Sequence, residues 1–175
     1  MSRRLALYAL GLALLMCDGH SWSGVAAQFR QREPAMTLEQ NKALVQRWID
    51  EGFNKRNPAI VDEIFVEDFV VGGQRIGRTG LRQNMIQRLT AFPDLEVTIT
   101  EVLAEGDKVV IWYAARGTHR GEFEGISPTG KRVNWIGSDL VRIDGAKIAE
   151  GRFLDDSLGL LRQLRTPAAP LPGQG

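Results

Sequence analysis

The apolar residues of this chain change period at Pro93, and that change confines the fold more than any other feature. Before it, Leu38, Leu44, Val45, Trp48, Ile49 and Phe53 recur at helical spacing. Thr37 is placed to cap that helix, with Gln40 three residues later in the manner of a capping box. The polar run 54–58 breaks the pattern, and Pro58 suits the first turn of a second helix reaching Ile64. Residues 67–71 read as a short strand stopped by Gly72-Gly73, and residues 79–91 as a third helix closed by Phe92-Pro93. After Pro93, Leu95, Val97 and Ile99 alternate with Glu96, Thr98 and Thr100, the period of a half-buried strand. Gly106-Asp107 then turns the chain into a strand over 108–116. Its run Val109, Val110, Ile111, Trp112, Tyr113 predicts that both faces are covered. Strands over 132–143 and 147–154 flank Asp144-Gly145, a strong hairpin signal. Asp156 is placed to cap a last helix carrying Leu158, Leu160, Leu161 and Leu164. Helices followed by a run of antiparallel strands define an α+β domain.

The N-terminus reads differently. Ser2-Arg3-Arg4 is basic, residues 5–17 are apolar, and Val25-Ala26-Ala27 offers small residues for cleavage before Gln28. That order predicts an export signal over 1–27. The apolar run is short of the roughly 20 residues of a spanning helix, so no membrane attachment is expected once the signal is removed. Met16 stands where a lipoprotein signal would carry a small residue before Cys17, and Arg3-Arg4 is too little for twin-arginine export. The expected destination is a periplasm or the exterior. Residues 28–36 read as a linker, 37–165 as the domain, and the proline-rich 166–175 as a disordered tail.

Cleavage would remove the one cysteine, Cys17, together with His20, leaving His119 as the single imidazole. A domain so equipped forms no disulfide, and a metal site built on several His or Cys ligands is not expected. Net charge is +1, which provides no electrostatic footprint for nucleic acid.

Between the strands ending at 116 and beginning at 132 lies Gly-Thr-His-Arg-Gly-Glu-Phe-Glu-Gly-Ile-Ser-Pro-Thr-Gly-Lys, from Gly117 to Lys131. Its length and spacing, framed by the helix near Leu38 and by Asp156-Ser157-Leu158-Gly159-Leu160-Leu161-Arg162-Gln163-Leu164, resemble the SnoaL-like polyketide cyclases, or ester cyclases. The resemblance covers about 37–164. It implies the cone of the nuclear transport factor 2-like superfamily: a curved, mostly antiparallel sheet wrapped by three N-terminal helices, with a short C-terminal helix. It implies a small apolar or aromatic ligand, acid-base chemistry without cofactor or metal, and a homodimer through the open sheet face as one further option.

Asp139 is the most suggestive carboxylate. By the period of two it shares a face with Val133, Trp135, Gly137, Val141 and Ile143, where desolvation would raise its pKa and suit it to general acid-base work. An ion pair with Arg116, or a bulge turning it outward, is the structural alternative. By resemblance its position is one where the cyclases place a pocket histidine. His119 matches a histidine usual in the family; it could carry protons or fix the loop through backbone hydrogen bonds. Phe153 occupies the place of the cyclases' acid-base aspartate, which takes the proton between two carbonyls and returns one to the new alkoxide. Asp155, two residues on, faces the same way if the strand persists, and is either a substitute or a surface carboxylate. Asp156 matches an acidic residue the family places before its last helix. Gly72-Gly73 stands where the family often has an inward histidine. Trp48, Tyr113, Trp135 and Phe153, with Trp112, are candidate walls for a flat ligand or plain core.

The expected function is therefore an exported ester cyclase-type protein, performing aldol-type cyclisation or isomerisation on a small carbonyl compound. Asp139 would be its proton carrier, aided by His119 or Asp155. The alternative is a non-catalytic binding protein that has lost the acid-base aspartate. Epoxide hydrolase and ketosteroid isomerase readings rank lower. The first expects an arginine where Gly137 stands, and the second must rely on Tyr113 as its only mature tyrosine.

Overall fold

The computed structural model describes residues 36–166. The expected signal, its cleavage site, nearly all of the linker and all but the first residue of the tail lie outside the described residues.

Helix α1, Leu38–Arg47, opens with the capping box: Thr37 Oγ1 accepts from the Gln40 amide at 3.2 Å, and Gln40 Oε1 from the Thr37 amide at 2.8 Å. It runs on as a π-helical segment, Trp48–Asn54. Asn54 ties that segment to the sheet, its side chain donating to the Val97 carbonyl at 2.9 Å and accepting from the Val97 amide at 2.8 Å. Pro58 and Ala59 form a turn rather than helix, so α2 is Ile60–Ile64, and β1, Phe65–Val71, follows at once. Gly72 and Gly73, at φ 57° and 88°, form the turn to a two-residue strand that the sequence reading did not anticipate, β2, Gln74–Arg75. Helix α3 is Gly77–Ala91, two residues longer at its start than expected.

The remaining strands are β3, Glu96–Glu105; β4, Lys108–Thr118; β5, Arg132–Asp144; and β6, Lys147–Asp155. Helix α4, Ser157–Arg165, closes the domain, with the Asp156 carboxylate accepting from the Gly159 amide. The six strands form one sheet in the order β2-β1-β6-β5-β4-β3, antiparallel except for β1 against β6. Pairing slips between Ile99 and Glu101, between Arg142 and Ile143, and between Phe65 and Val70. Such bulges bend a strand and increase its twist, which lets the sheet curve toward the helices. The concave side and the helices share one core, in which Ile60, Ile64, Phe65, Phe69, Phe92, Val109, Ile111 and Val141 are fully buried.

One strand departs from expectation. β4 was predicted to be covered on both faces, yet its burial alternates, and Trp112 is 42% exposed on the outer face. Leu103 on β3, Ile136 on β5 and Leu154 on β6 are exposed as well. A run of apolar residues does not reveal whether a second layer exists to cover the other side.

Candidate active site

A cavity of about 760 Å³ lies between the inner face of the sheet and the helices. The π-helical segment presents Trp48, Ile49 and Phe53 to it, and α3 presents Leu81, Met85 and Arg88. The sheet adds Val97, Tyr113, Trp135, Asp139, Phe153 and Asp155. Glu122, Phe123, Glu124 and Gly125 from the 117–131 loop also line it. All four residues expected to hold a ligand therefore face one space. Trp112 faces away from it.

The aromatic end of the cavity is built on Phe153. Its ring lies 5.4 Å from that of Trp48 and 6.1 Å from that of Phe69, centroid to centroid. The ring folds back over Gly151, where a Cβ would meet it at 2.8 Å.

Asp139 pairs across strands with Phe153 and with Ile111. The residue is 95% buried, and Oδ1 has no hydrogen-bond partner. Burial, and then the nearby charge of Asp155, push its pKa up to about 8, with Arg88 acting weakly against them. The anticipated partner Arg116 is engaged elsewhere, with Glu96 at 2.7–3.1 Å. The register carries no bulge at Asp139, so the side chain stays inward with Val133, Trp135 and Val141.

Asp155 lies in the same cavity in the opposite condition. β6 does persist to it, and its side chain is only 14% exposed, which corrects the surface-carboxylate reading. Oδ1 accepts from the Tyr113 hydroxyl at 2.6 Å and from Trp135 Nε1 at 3.1 Å, while Oδ2 accepts from Arg88 at 2.8 Å. Burial alone would raise its pKa; the Arg88 charge and these donors overcome that and hold it below the ordinary carboxylate range. Burial opposes the charge on Arg88 too, but Asp155 keeps the guanidinium firmly protonated. Tyr113 is shifted strongly upward by burial and by the two carboxyl groups, so its phenol stays neutral. The two carboxyl groups are thus driven apart, one a neutral acid near pH 7 and the other a fixed anion. Such a split separates proton-transfer roles in acid-base sites.

His119 is not brought to this cluster. It is completely buried against Phe92, ring centroids 5.5 Å apart, and it does not line the cavity. Its Nδ1 accepts from the Thr129 amide at 3.2 Å and sits 3.1 Å from Thr129 Oγ1. Its backbone bonds Lys131 and Gly130, so the residue fastens the two ends of the loop. Burial lowers its pKa, keeping the ring neutral, and this placement does not suit the proton-carrying role considered for it.

Arg88 is the residue the sequence reading missed. Leu81, Met85 and Arg88 fall at i, i+4 and i+7 of α3, the spacing of its inward stripe, and that pattern could have flagged it. Among the described residues no group of three or more His, Cys, Asp or Glu is placed to hold a metal ion.

An α+β domain whose curved sheet and helices enclose one cavity, with two carboxyl groups in opposite states inside, has the architecture of the nuclear transport factor 2-like fold. The SnoaL-like polyketide cyclase description matches residues 43–164, and the chain belongs to that family. Among solved structures it is similar to a protein from Jannaschia sp. CCS1 assigned as a SnoaL-like polyketide cyclase. Identity is 26%, coverage 79% of this chain and 99% of the other, and the TM-score 0.70. AclR from Streptomyces galilaeus, assigned as a hydroxylase, is 27% identical over 77% of this chain and 87% of its own, with a TM-score of 0.68. A protein from Acidithiobacillus ferrooxidans assigned as a polyketide cyclase shares the fold at 23% identity, covering 76% and 100%, with a TM-score of 0.67. No curated protein is similar enough to add to this comparison.

Proposed function

We propose that this is an exported cyclase- or isomerase-type enzyme that moves a proton on a small, flat carbonyl compound without a cofactor, using Asp139. The observation carrying the reading is Asp139 itself, a residue 95% buried in the cavity wall with one unpartnered carboxyl oxygen; that burial pushes its pKa up to about 8. A general acid-base group works best when its pKa lies near the working pH. At pH 7 about one molecule in ten would carry the ionised form. That carboxylate takes the proton from the carbon between two carbonyls, leaving an enolate. In an aldol closure the enolate carbon attacks a second carbonyl of the same molecule, a carbon–carbon bond forms, and the new alkoxide takes the proton back from Asp139. In an isomerisation the proton returns to a different carbon. Either way Asp139 ends as it began, and the product has the mass of the substrate. The apolar lining from Trp48, Phe53 and Phe153 suits a flat ring system. Export rests on the basic, apolar and small-residue order of segment 1–27.

The test is turnover of a panel of β-keto esters and aromatic polyketide methyl esters, followed chromatographically for products of unchanged mass. Asp139→Asn is expected to cut the rate by about a hundredfold or more, the usual worth of a positioned acid-base group. A substrate turned over equally by both proteins would remove Asp139 from the chemistry.

A second reading, a binding protein for a hydrophobic ligand, is favoured by one specific observation. Asp155 is already bonded by three donors, and by the resemblance it is the nearest substitute for an aspartate whose place Phe153 takes. Native mass spectrometry of protein purified from its own cell envelope separates the two. Binding predicts a stoichiometric apolar ligand that is released unaltered.

A further inference from the structure

Tyr113, Gly137 and Asp155 form one row across three adjacent strands, Tyr113 pairing with Gly137 and Gly137 with Asp155. Strands in a sheet lie about 4.8 Å apart, so two such spacings separate the backbones of Tyr113 and Asp155. The tyrosine hydroxyl nevertheless donates to Asp155 Oδ1 at 2.6 Å. It does so by laying its ring across β5 at the one position there without a side chain. A Cβ at 137 would stand 2.3 Å from both Cζ and Oη of Tyr113, and 2.8 Å from Cε2. Gly137 is not in the left-handed region of backbone space, so conformation does not demand glycine here. Space does.

We propose that Gly137 is a positioning residue of the site: its missing side chain lets Tyr113 reach Asp155, which together with Arg88 holds Asp155 as the charged carboxylate and leaves Asp139 as the one that exchanges a proton. This rests on the acid-base reading of Asp139. The groups facing Asp139 are Asp155 from β6, Arg88 from α3 and Tyr113 from β4. Of the three, Tyr113 is the one whose place depends on residue 137. A tyrosine lifted off β5 would deprive Asp155 of its shortest hydrogen bond. It would also admit water beside Asp139, and both carboxyl groups would drift back toward ordinary behaviour.

The experiment is the pH titration of the aspartate carboxyl carbons, followed by NMR in the full chain and in its Gly137→Ala, Tyr113→Phe and doubly substituted forms. No substrate enters it, so its failure and the failure of the enzymatic reading are separate events. In Gly137→Ala the Asp155 midpoint is expected to rise, as it does in Tyr113→Phe, and the Asp139 midpoint to fall below about 8. The double form should move Asp155 no further than either single change, because both remove the same bond. An Asp155 midpoint unmoved by Gly137→Ala, or shifts that add in the double form, would overturn the proposal. Should Gly137→Ala not fold, Gly137→Ala/Tyr113→Ala decides the matter. Removing the ring must restore folding, and a double variant that stays unfolded counts against the steric argument.

Discussion

Asp139→Asn is expected to gain stability relative to the wild type as the pH rises. A carboxyl group whose folded pKa is raised holds its proton in the folded chain after the unfolded chain has lost it. For Asp139 that window runs from the ordinary carboxylate range, near 3.8, to about 8. Across it the folded state binds more protons than the unfolded state, so stability falls with rising pH by about 1.4 kcal/mol per unit from this group. Below the window the contribution is fully present; well above 8 both states are ionised and the loss is complete, on the order of 6 kcal/mol. Asparagine does not titrate. Urea unfolding of both proteins at pH 5, 6, 7, 8, 9 and 10 should therefore give a difference that widens steadily and levels above about pH 9. How the amide packs sets the offset of that difference, while the slope comes from Asp139 alone. A difference constant over the range would mean that Asp139 is an ordinary carboxylate in the folded protein.

The second large effect is expected from Arg88→Met. This leaves the Asp155 carboxylate, only 14% exposed, with Tyr113 and Trp135 as its remaining donors and no opposing charge. Orphaning one member of a buried pair costs about 3–5 kcal/mol. Because Arg88 is itself 29% exposed, the lower end applies, about 3 kcal/mol at neutral pH. Replacing both members should recover most of it, since the cost is that of an unpaired charge rather than of a lost bond. The measurement is a double-mutant cycle by chemical unfolding with Arg88→Met, Asp155→Asn and the pair. Losses that simply add would show that the two residues do not act as a unit. The Asp139 midpoint should rise in Arg88→Met, because Arg88 is the one group that lowers it.

Much of this architecture was legible in the sequence because it is written in local terms. The capping box at Thr37, the Asp144-Gly145 turn and the alternation along β5 each depend on residues close in sequence, and each is formed as read. The inward direction of Asp139 followed from the same alternation. Reading stopped where the determinant was distant. Asp155 looked like a surface carboxylate because its partners Tyr113 and Arg88 lie 42 and 67 residues away in the chain. Trp112 looked like core because nothing local to β4 reveals whether a second layer covers its outer face. His119 has the chemistry of a proton carrier, and only the burial of its ring between Phe92 and Thr129 shows that it fastens the loop. Phe153 is notable in the sequence because, by the resemblance, it stands where the cyclases keep an aspartate. Its surroundings depend on residues distant in the chain: the ring lies beside Trp48 at the aromatic end of the cavity, with Asp139 as its cross-strand neighbour.

The proposed chemistry requires Asp139 to be a buried acid that exchanges a proton near neutral pH, and its own titration decides the point without any substrate. Carboxyl-carbon NMR of the wild-type protein, with Asp139→Asn to assign the resonance, should give a midpoint near 8. A midpoint in the ordinary carboxylate range would contradict the account, leaving a permanently charged Asp139 with no proton to return.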